Sequence, residues 1–297
     1  MTEPTWMKGT PTSILLATDL SARCDRALDR AVRLARGWGA KLHVVHAIED
    51  DMLDKSDAFT QRRHGPDPVA TARARVEADL ADHADDVAIE VHVETSDPTA
   101  LVLKVAARED CGLIVTGVAR DQSLGRYLLG SVVDHLVRHA PVPLLVVRGR
   151  VGAEYESVLV TSDFSPSSRH AIEAAARLFP DAALTLFHAY DIPFAGYLEN
   201  DAVRADFARM GDEACGKFLA ETNLPAGAAD RIGRLIERGD PEALLAGHAR
   251  NRDMGLIVVG SHGGGALYNI FIGSTAAAII REVPGDVLLV RDPAATR

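Results

Sequence analysis

Ser13-Ile14-Leu15-Leu16-Ala17-Thr18-Asp19-Leu20-Ser21 and Ser157-Val158-Leu159-Val160-Thr161-Ser162-Asp163-Phe164-Ser165 read alike and stand 144 residues apart. Each is a short apolar run that ends in a polar Asp-x-Ser turn. A run of that length, closed by a helix-start signal, reads as a buried strand leading into a helix. Further along, the offset returns. Leu42-His43-Val44-Val45-His46-Ala47 matches Leu184-Thr185-Leu186-Phe187-His188-Ala189, and Asp97-Pro98 matches Asp240-Pro241. Leu113–Gly117 matches Leu256–Gly260, Gly130-Ser131 matches Gly273-Ser274, and Leu145–Arg148 matches Leu288–Arg291. All six pairs come in the same order, with the offset drifting by at most two residues, as duplication with small loop insertions requires. Solenoid units repeat every ~20–50 residues, so this longer period denotes whole domains. The Gly-bearing polar stretch Gly149–Glu154 is the natural joint, which divides the chain into residues 8–150 and 151–297.

Within each half, strands alternate with helices. Apolar runs predict strands near 13–18, 41–47, 87–94, 112–116 and 142–148, and again near 157–162, 183–189, 231–237, 255–259 and 286–291. Helical spacing fits 23–37, 67–84, 98–109 and 130–140; Ala27, Ala31, Leu34 and Ala35 share one helix face. Nearly continuous apolar strands separated by helices predict an α/β fold, a doubly wound parallel sheet covered on both faces, in two tandem copies.

Composition narrows the function classes. With 47% hydrophobic and 25% charged residues the chain is ordinary globular material. A formal net charge of −10 without a basic run argues against nucleic acid and anionic membranes as partners. It does not exclude a small anion, because backbone N–H groups bind phosphate even in acidic proteins. Cys24, Cys111 and Cys215 form no C-x-x-C pair, and reduced thiols in a cytoplasmic setting are expected. The opening residues hold no long apolar stretch, so no secretory signal is expected, and no run is long enough to span a bilayer.

The most specific chemical feature is Gly260-Ser261-His262-Gly263, nine residues, then Gly273-Ser274-Thr275. It follows an apolar strand and opens an Ala-rich helix. Glycines let the backbone approach a ligand closely, and a helix N-terminus favours an anion. A glycine loop without a ligand is the alternative reading. Asp19 and Asp163 each follow the first strand of their half. Ligands of open parallel sheets sit beyond the carboxyl ends of strands, where a carboxylate can accept from ribose hydroxyls or hold a divalent ion. A plain helix-capping role fits the same residues.

Together the strand–Asp opening, the His that ends the second strand, the Gly-x2-Gly-x9-Gly-Ser run and the closing apolar strand that follows a proline resemble the universal stress protein family, in its tandem form. The resemblance implies five-stranded sheets of order 3-2-1-4-5. It also implies that members with the full glycine motif bind ATP. On that basis Asp163 lies by ribose and a Mg2+ or Mn2+ ion, Ala189 and Thr161 lie near adenine, and Gly260, Ser261, Gly263, Gly273, Ser274 and Thr275 surround the phosphates. In the first half Asp19, Ala47, Gly117, Gly130 and Ser131 correspond, but Arg120 replaces the second glycine and Val118-Ala119 replaces Ser261-His262. An empty or altered first site is therefore expected. The resemblance also suggests an internal pseudo-dimer, paired through the closing strands Leu144–Arg148 and Leu288–Arg291; a homodimer of whole chains stays open.

Other signals are weaker. His135 and His139 have a metal-compatible i, i+4 spacing but no evident third ligand. Neither a P-loop nor a complete nucleophile elbow occurs, and the glycine loops hold no lysine. Little catalysis is expected. Three functional readings remain at this stage: a nucleotide-binding stress-response module, a slow ATPase, and a scaffold or small-molecule binder that uses no nucleotide.

Overall fold

β1 (Ser13–Ala17) is buried from Ile14 onward because it lies in the middle of its half, with neighbours on both sides. The computed structural model describes residues 5–22, 24–49, 67–83, 85–118, 120–123, 126–128, 130–149, 152–192, 200–251, 255–261 and 273–292. After β1 the first half continues with α1 (Asp25–Trp38), β2 (Lys41–Ile48), α2 (Pro68–Leu80), β3 (Ile89–Thr95), α3 (Pro98–Arg108), β4 (Ile114–Gly117), a short antiparallel ribbon of β5 (Arg120–Ser123) and β6 (Arg126–Leu128), α4 (Ser131–His139) and β7 (Leu144–Val147). The second half repeats the scheme with β8 (Ser157–Thr161), α5 (Pro166–Leu178), β9 (Ala183–Tyr190), α6 (Asp201–Ala220), β10 (Gly233–Arg238), α7 (Pro241–Asn251), β11 (Leu256–Gly260), α8 (Ser274–Glu282) and β12 (Asp286–Val290).

The strands form one ten-stranded sheet of order β10-β9-β8-β11-β12-β7-β4-β1-β2-β3. Each half contributes five parallel strands in the order 3-2-1-4-5. The halves meet where β7 pairs antiparallel with β12, Val146 opposite Val287 and Leu144 opposite Leu289. The ribbon β5–β6 is an addition that the hydrophobic pattern does not announce. Helices cover both faces, so alternate strand residues enter two apolar layers. Ile14, Leu16, Val158 and Val160 enter one; Leu15, Leu159, Ile257 and Val259 enter the other. α1 turns its buried face, Ala27, Ala31, Leu34 and Ala35, to the sheet and ends at Gly39, whose φ of 62° supplies the left-handed cap.

The joint between the halves is polar as well as apolar. Asp286, at the start of β12, is buried. Its Oδ1 accepts from the backbone N–H groups of Arg148 and Gly149 at 2.7 and 2.8 Å, and its Oδ2 accepts from the Tyr155 hydroxyl at 2.6 Å. Arg30 of α1 approaches the same carboxylate at 3.6 Å and lies over the Tyr155 ring. Arg148, also buried, donates to the carbonyls of Val283, at 2.9 Å, and Ile280 at the end of α8. Buried charge needs such partners. Burial and the adjacent Asp286 charge push the Tyr155 phenol well above its ordinary range, so it stays a donor.

All three thiols are buried and free. Burial pushes Cys24 and Cys215 up to about 11 and Cys111 up to about 12. At pH 8 the thiolate fraction should thus fall about a hundredfold or more below that of an ordinary thiol. A disulfide reagent should label none of them quickly in the native chain and all three after unfolding; rapid native labelling would contradict these burial positions. The linkage follows in sign. Native thiols hold their protons above the unfolded thiol range, so stability is full below about pH 9. It falls as pH rises through about 11–12.

Candidate functional site

The strand order reverses at β8. Its chain-neighbour β9 lies on one side and β11 on the other, both parallel to it. A crevice therefore opens beyond the carboxyl ends of β8 and β11, the place where open α/β sheets receive ligands. Asp163 stands two residues past β8. Its Oδ1 accepts from the Ser165 N–H at 3.0 Å, while the Ser165 hydroxyl oxygen caps α5 by accepting from the Ser168 N–H. Phe164 between them has φ of 62°, a left-handed conformation rare for an aromatic residue. The first half repeats this: Asp19 Oδ1 accepts from the Ser21 N–H at 2.9 Å, and Leu20 has φ of 58°. Two non-glycine residues held in this region at equivalent turns mark a loop whose shape is imposed by its surroundings.

The histidines that end the second strands are structural. His188 Nδ1 lies 2.8 Å from the Ser162 carbonyl and His46 Nδ1 lies 3.0 Å from that of Thr18. A carbonyl only accepts, so Nδ1 carries the proton in both. Each tie holds the Asp turn against the neighbouring strand. Ala189 and Ala47, one residue further on, are partly buried and pack on an apolar layer. The Thr161 hydroxyl is turned across to the Val258 carbonyl, 3.4 Å away.

On the β11 side, Gly260 is required by packing. A Cβ there would lie 2.8 Å from the Ser167 backbone carbonyl and 2.9 Å from its hydroxyl, so the glycine seats the first turn of α5. Gly260→Ala should destabilise the chain by about 1–3 kcal/mol, the range for forced overpacking, read by chemical denaturation; a neutral result would show that α5 can shift freely. Ser261 is fully buried. Its N–H donates to the Val290 carbonyl at 2.9 Å and its carbonyl accepts from the Gly273 N–H at 3.0 Å, which clamps the two ends of the glycine loop together. The Gly273 N–H is thus already used. The first bond inside α8 runs from Ala277 N–H to Gly273 O, so the N–H groups of Ser274, Thr275 and Ala276 have no intrahelical acceptor. Gly263, His262 and the rest of the loop from 262 to 272 lie outside the described residues, as does the Ser274 side chain.

Five helix starts are closed by side chains: Asp67 on α2, Asp97 on α3, Ser165 on α5, Asn200 on α6 and Asp240 on α7; α1, which begins at Cys24, has no side-chain cap. α4 and α8 begin at Gly130 and Gly273 with no side-chain cap. In the first half Gly117 ends β4 beside Val147, and Gly130 and Ser131 open α4. Arg120 falls at the start of β5, where its side chain is not described. The glycine starts of α4 and α8 are the Gly-Ser pairs that the repeat marks, whereas the left-handed Leu20 and Phe164 carry no signature in residue type. His139 Nδ1 bonds the His135 carbonyl at 2.9 Å and the two rings stack, so this pair is a local helix-surface contact.

The pattern of the universal stress protein family matches residues 11–148 and, a second time, 154–291. The chain belongs to the universal stress protein family. A universal stress protein of Mycolicibacterium smegmatis is 26% identical over 296 residues, covering 94% of this chain and 96% of that one. A putative universal stress protein of Staphylococcus aureus is 30% identical over 142 residues, 46% of this chain and 83% of its own length. In structure, a universal stress protein of Archaeoglobus fulgidus superposes with a TM-score of 0.64 at 22% identity, over 94% of this chain and 98% of that one. The fold of this family member is thus shared over nearly the whole length of both chains. No helix among the described residues is long and apolar enough to cross a membrane.

Proposed function

We propose that the second half binds an adenine nucleotide, ATP with Mg2+ or Mn2+, and that the protein works as a binding or signalling module in a stress response. What supports this reading is that Asp163 follows β8 while the start of α8, which has no side-chain cap, is tied through the Gly273–Ser261 bond to the end of the neighbouring strand β11. Three backbone N–H groups at a helix N-terminus suit phosphate. A carboxylate across from them suits a ribose hydroxyl or the divalent ion that phosphates bring. The ion supplies charge neutralisation when bound, while Asp163 and the α8 amides orient the nucleotide. The full Gly-x2-Gly-x9-Gly-Ser run in this half supports the same assignment.

Mass spectrometry of ligand released from gently purified chain should find an adenine nucleotide at about one equivalent. Absence of any nucleotide, together with no calorimetric signal on adding ATP and Mg2+, would remove the assignment and favour the scaffold reading. Turnover in the crevice should stay below about one per second, the low end of ordinary enzyme rates. Faster steady phosphate release would make the protein an ATPase.

A further inference from the structure

The geometry points to a second, separate site: a divalent transition-metal site of the zinc class, built from His43, Glu90 and His92 at the outer edge of the first half. Its assembly follows from strand register. His43 of β2 lies opposite Glu90 of β3. His92 is two residues beyond Glu90 and so shares its face. The three side chains converge. His43 Nδ1 is 3.1 Å from His92 Nε2 and 3.9 Å from Glu90 Oε2, and His92 Nε2 is 3.8 Å from Glu90 Oε1. These donor atoms all lie within 4.8 Å of one another. A tetrahedral zinc centre with bonds of about 2.0–2.1 Å needs ligand atoms about 3.3–3.4 Å apart. The imidazole pair lies within a few tenths of an ångström of that value; the two carboxylate distances belong to different Glu90 oxygens, so the half-exposed carboxylate must turn to bring one oxygen, at most 4.8 Å away, onto the ion.

Two imidazoles and one carboxylate form a donor set suited to such ions. Both histidines are buried, which fixes their rings, whereas Glu90 is half exposed. An open groove of about 660 Å³ runs along the edge of β3, lined in part by Arg73, Glu77, Glu90 and His92, and gives solvent access for an ion and a water ligand.

The ion-free arrangement shows what an ion must displace. Arg108 Nη2 lies 3.2 Å from His92 Nδ1. Guanidinium only donates, so Nδ1 accepts, and the His92 proton sits on Nε2, directed at His43 Nδ1. That proton occupies the position of the ion. Ligation through Nε2 moves it to Nδ1, with no net change in His92 protonation. Arg108, half exposed and already bonded to Glu109 at 2.6 Å, then turns away. The Lys41 ammonium, 2.6 Å from Glu90 Oε2, is the second occupant. It is a cation already held where a metal ligand is needed, on a long, half-exposed side chain that can swing out. Lys41 therefore competes with the metal.

The test is zinc titration of the untagged, nucleotide-free whole chain by calorimetry, with Co2+ absorption as a second readout. One zinc per chain is expected. Glu90→Gln should weaken binding about tenfold or more, and Lys41→Ala should tighten it, a change opposite in direction that a misfolded variant would not produce. His92→Gln should abolish the visible band of bound Co2+. His139→Gln, on the helix-surface pair, should change nothing. No saturable zinc binding, equal affinity in wild type and Glu90→Gln, or loss of binding in His139→Gln would each overturn the site.

Discussion

Asp286→Ala should lower the stability of the chain by about 3–5 kcal/mol, the effect of stripping the partner from buried charge. At about 2–4 °C per kcal/mol for domains of 150–250 residues, the midpoint should fall by roughly 6–20 °C. One carboxylate holds four groups from both halves. It accepts from Arg148 N–H, Gly149 N–H and the Tyr155 hydroxyl, and it faces Arg30 of α1. Alanine leaves two backbone donors and a phenol without an acceptor and leaves the Arg30 cation, itself buried, without its counter-charge. Since Arg30 also donates to the Ala153 carbonyl at 2.9 Å, the joint should loosen as a unit. Asp286→Asn keeps one oxygen for the two amides and should fall between. Tyr155→Phe removes one bond and should cost less than either. Chemical denaturation checks the series; a loss below about 1 kcal/mol for Asp286→Ala would show that the β7–β12 pairing alone holds the halves. The expected second symptom is a split transition, each half melting separately.

The other large effect is on the ligand. Asp163→Ala should reduce ATP affinity by about ten- to a hundredfold, the range for a hydrogen bond to a charged group at about 1.4 kcal/mol per tenfold. Stoichiometry measured on the whole chain should fall from about one to nearly none at micromolar ATP. Asp19→Ala should leave it unchanged, although its turn has the same geometry as that of Asp163. The difference between the halves lies in the glycine loops. Gly263 can take a positive φ and lie against phosphate. Arg120, in its place, disfavours that conformation, and β5 begins there. Two equal, independent sites would overturn the asymmetry. The size of the Asp163→Ala loss also separates the two roles of this carboxylate. If Asp163 served only its turn, through the Ser165 N–H, the variant would lose stability and keep its ligand.

The sequence by itself determined the duplication, the α/β alternation and the positions of the ten sheet strands. These follow from local information: an apolar run of strand length, an Asp-Pro or Asp-x-Ser helix start, and a fixed offset between copies. Thus Asp97 caps α3 as its Asp-Pro pair announces, and the closing strands Leu144–Val147 and Asp286–Val290 meet at the edges that their similarity suggested. Candidate ligand residues were legible for the same reason, since Asp163 and Gly273 sit at strand and helix ends that the chain marks locally. Tertiary structure alone decided contacts between residues far apart. Nothing around Asp286 signals that it will receive the backbone of Arg148, 138 residues earlier. His43 and His92 are separated by 49 residues and meet only because β2 and β3 pair in one register. At Gly260 the spacing points to a ligand, and only the fold adds a packing demand, since a Cβ would meet the Ser167 backbone at 2.8 Å. Leu20 and Phe164 carry no mark of a left-handed turn, because the surrounding strands and helices impose it. Period and punctuation are written residue by residue, whereas register, burial and charge pairing exist only once distant segments share a space.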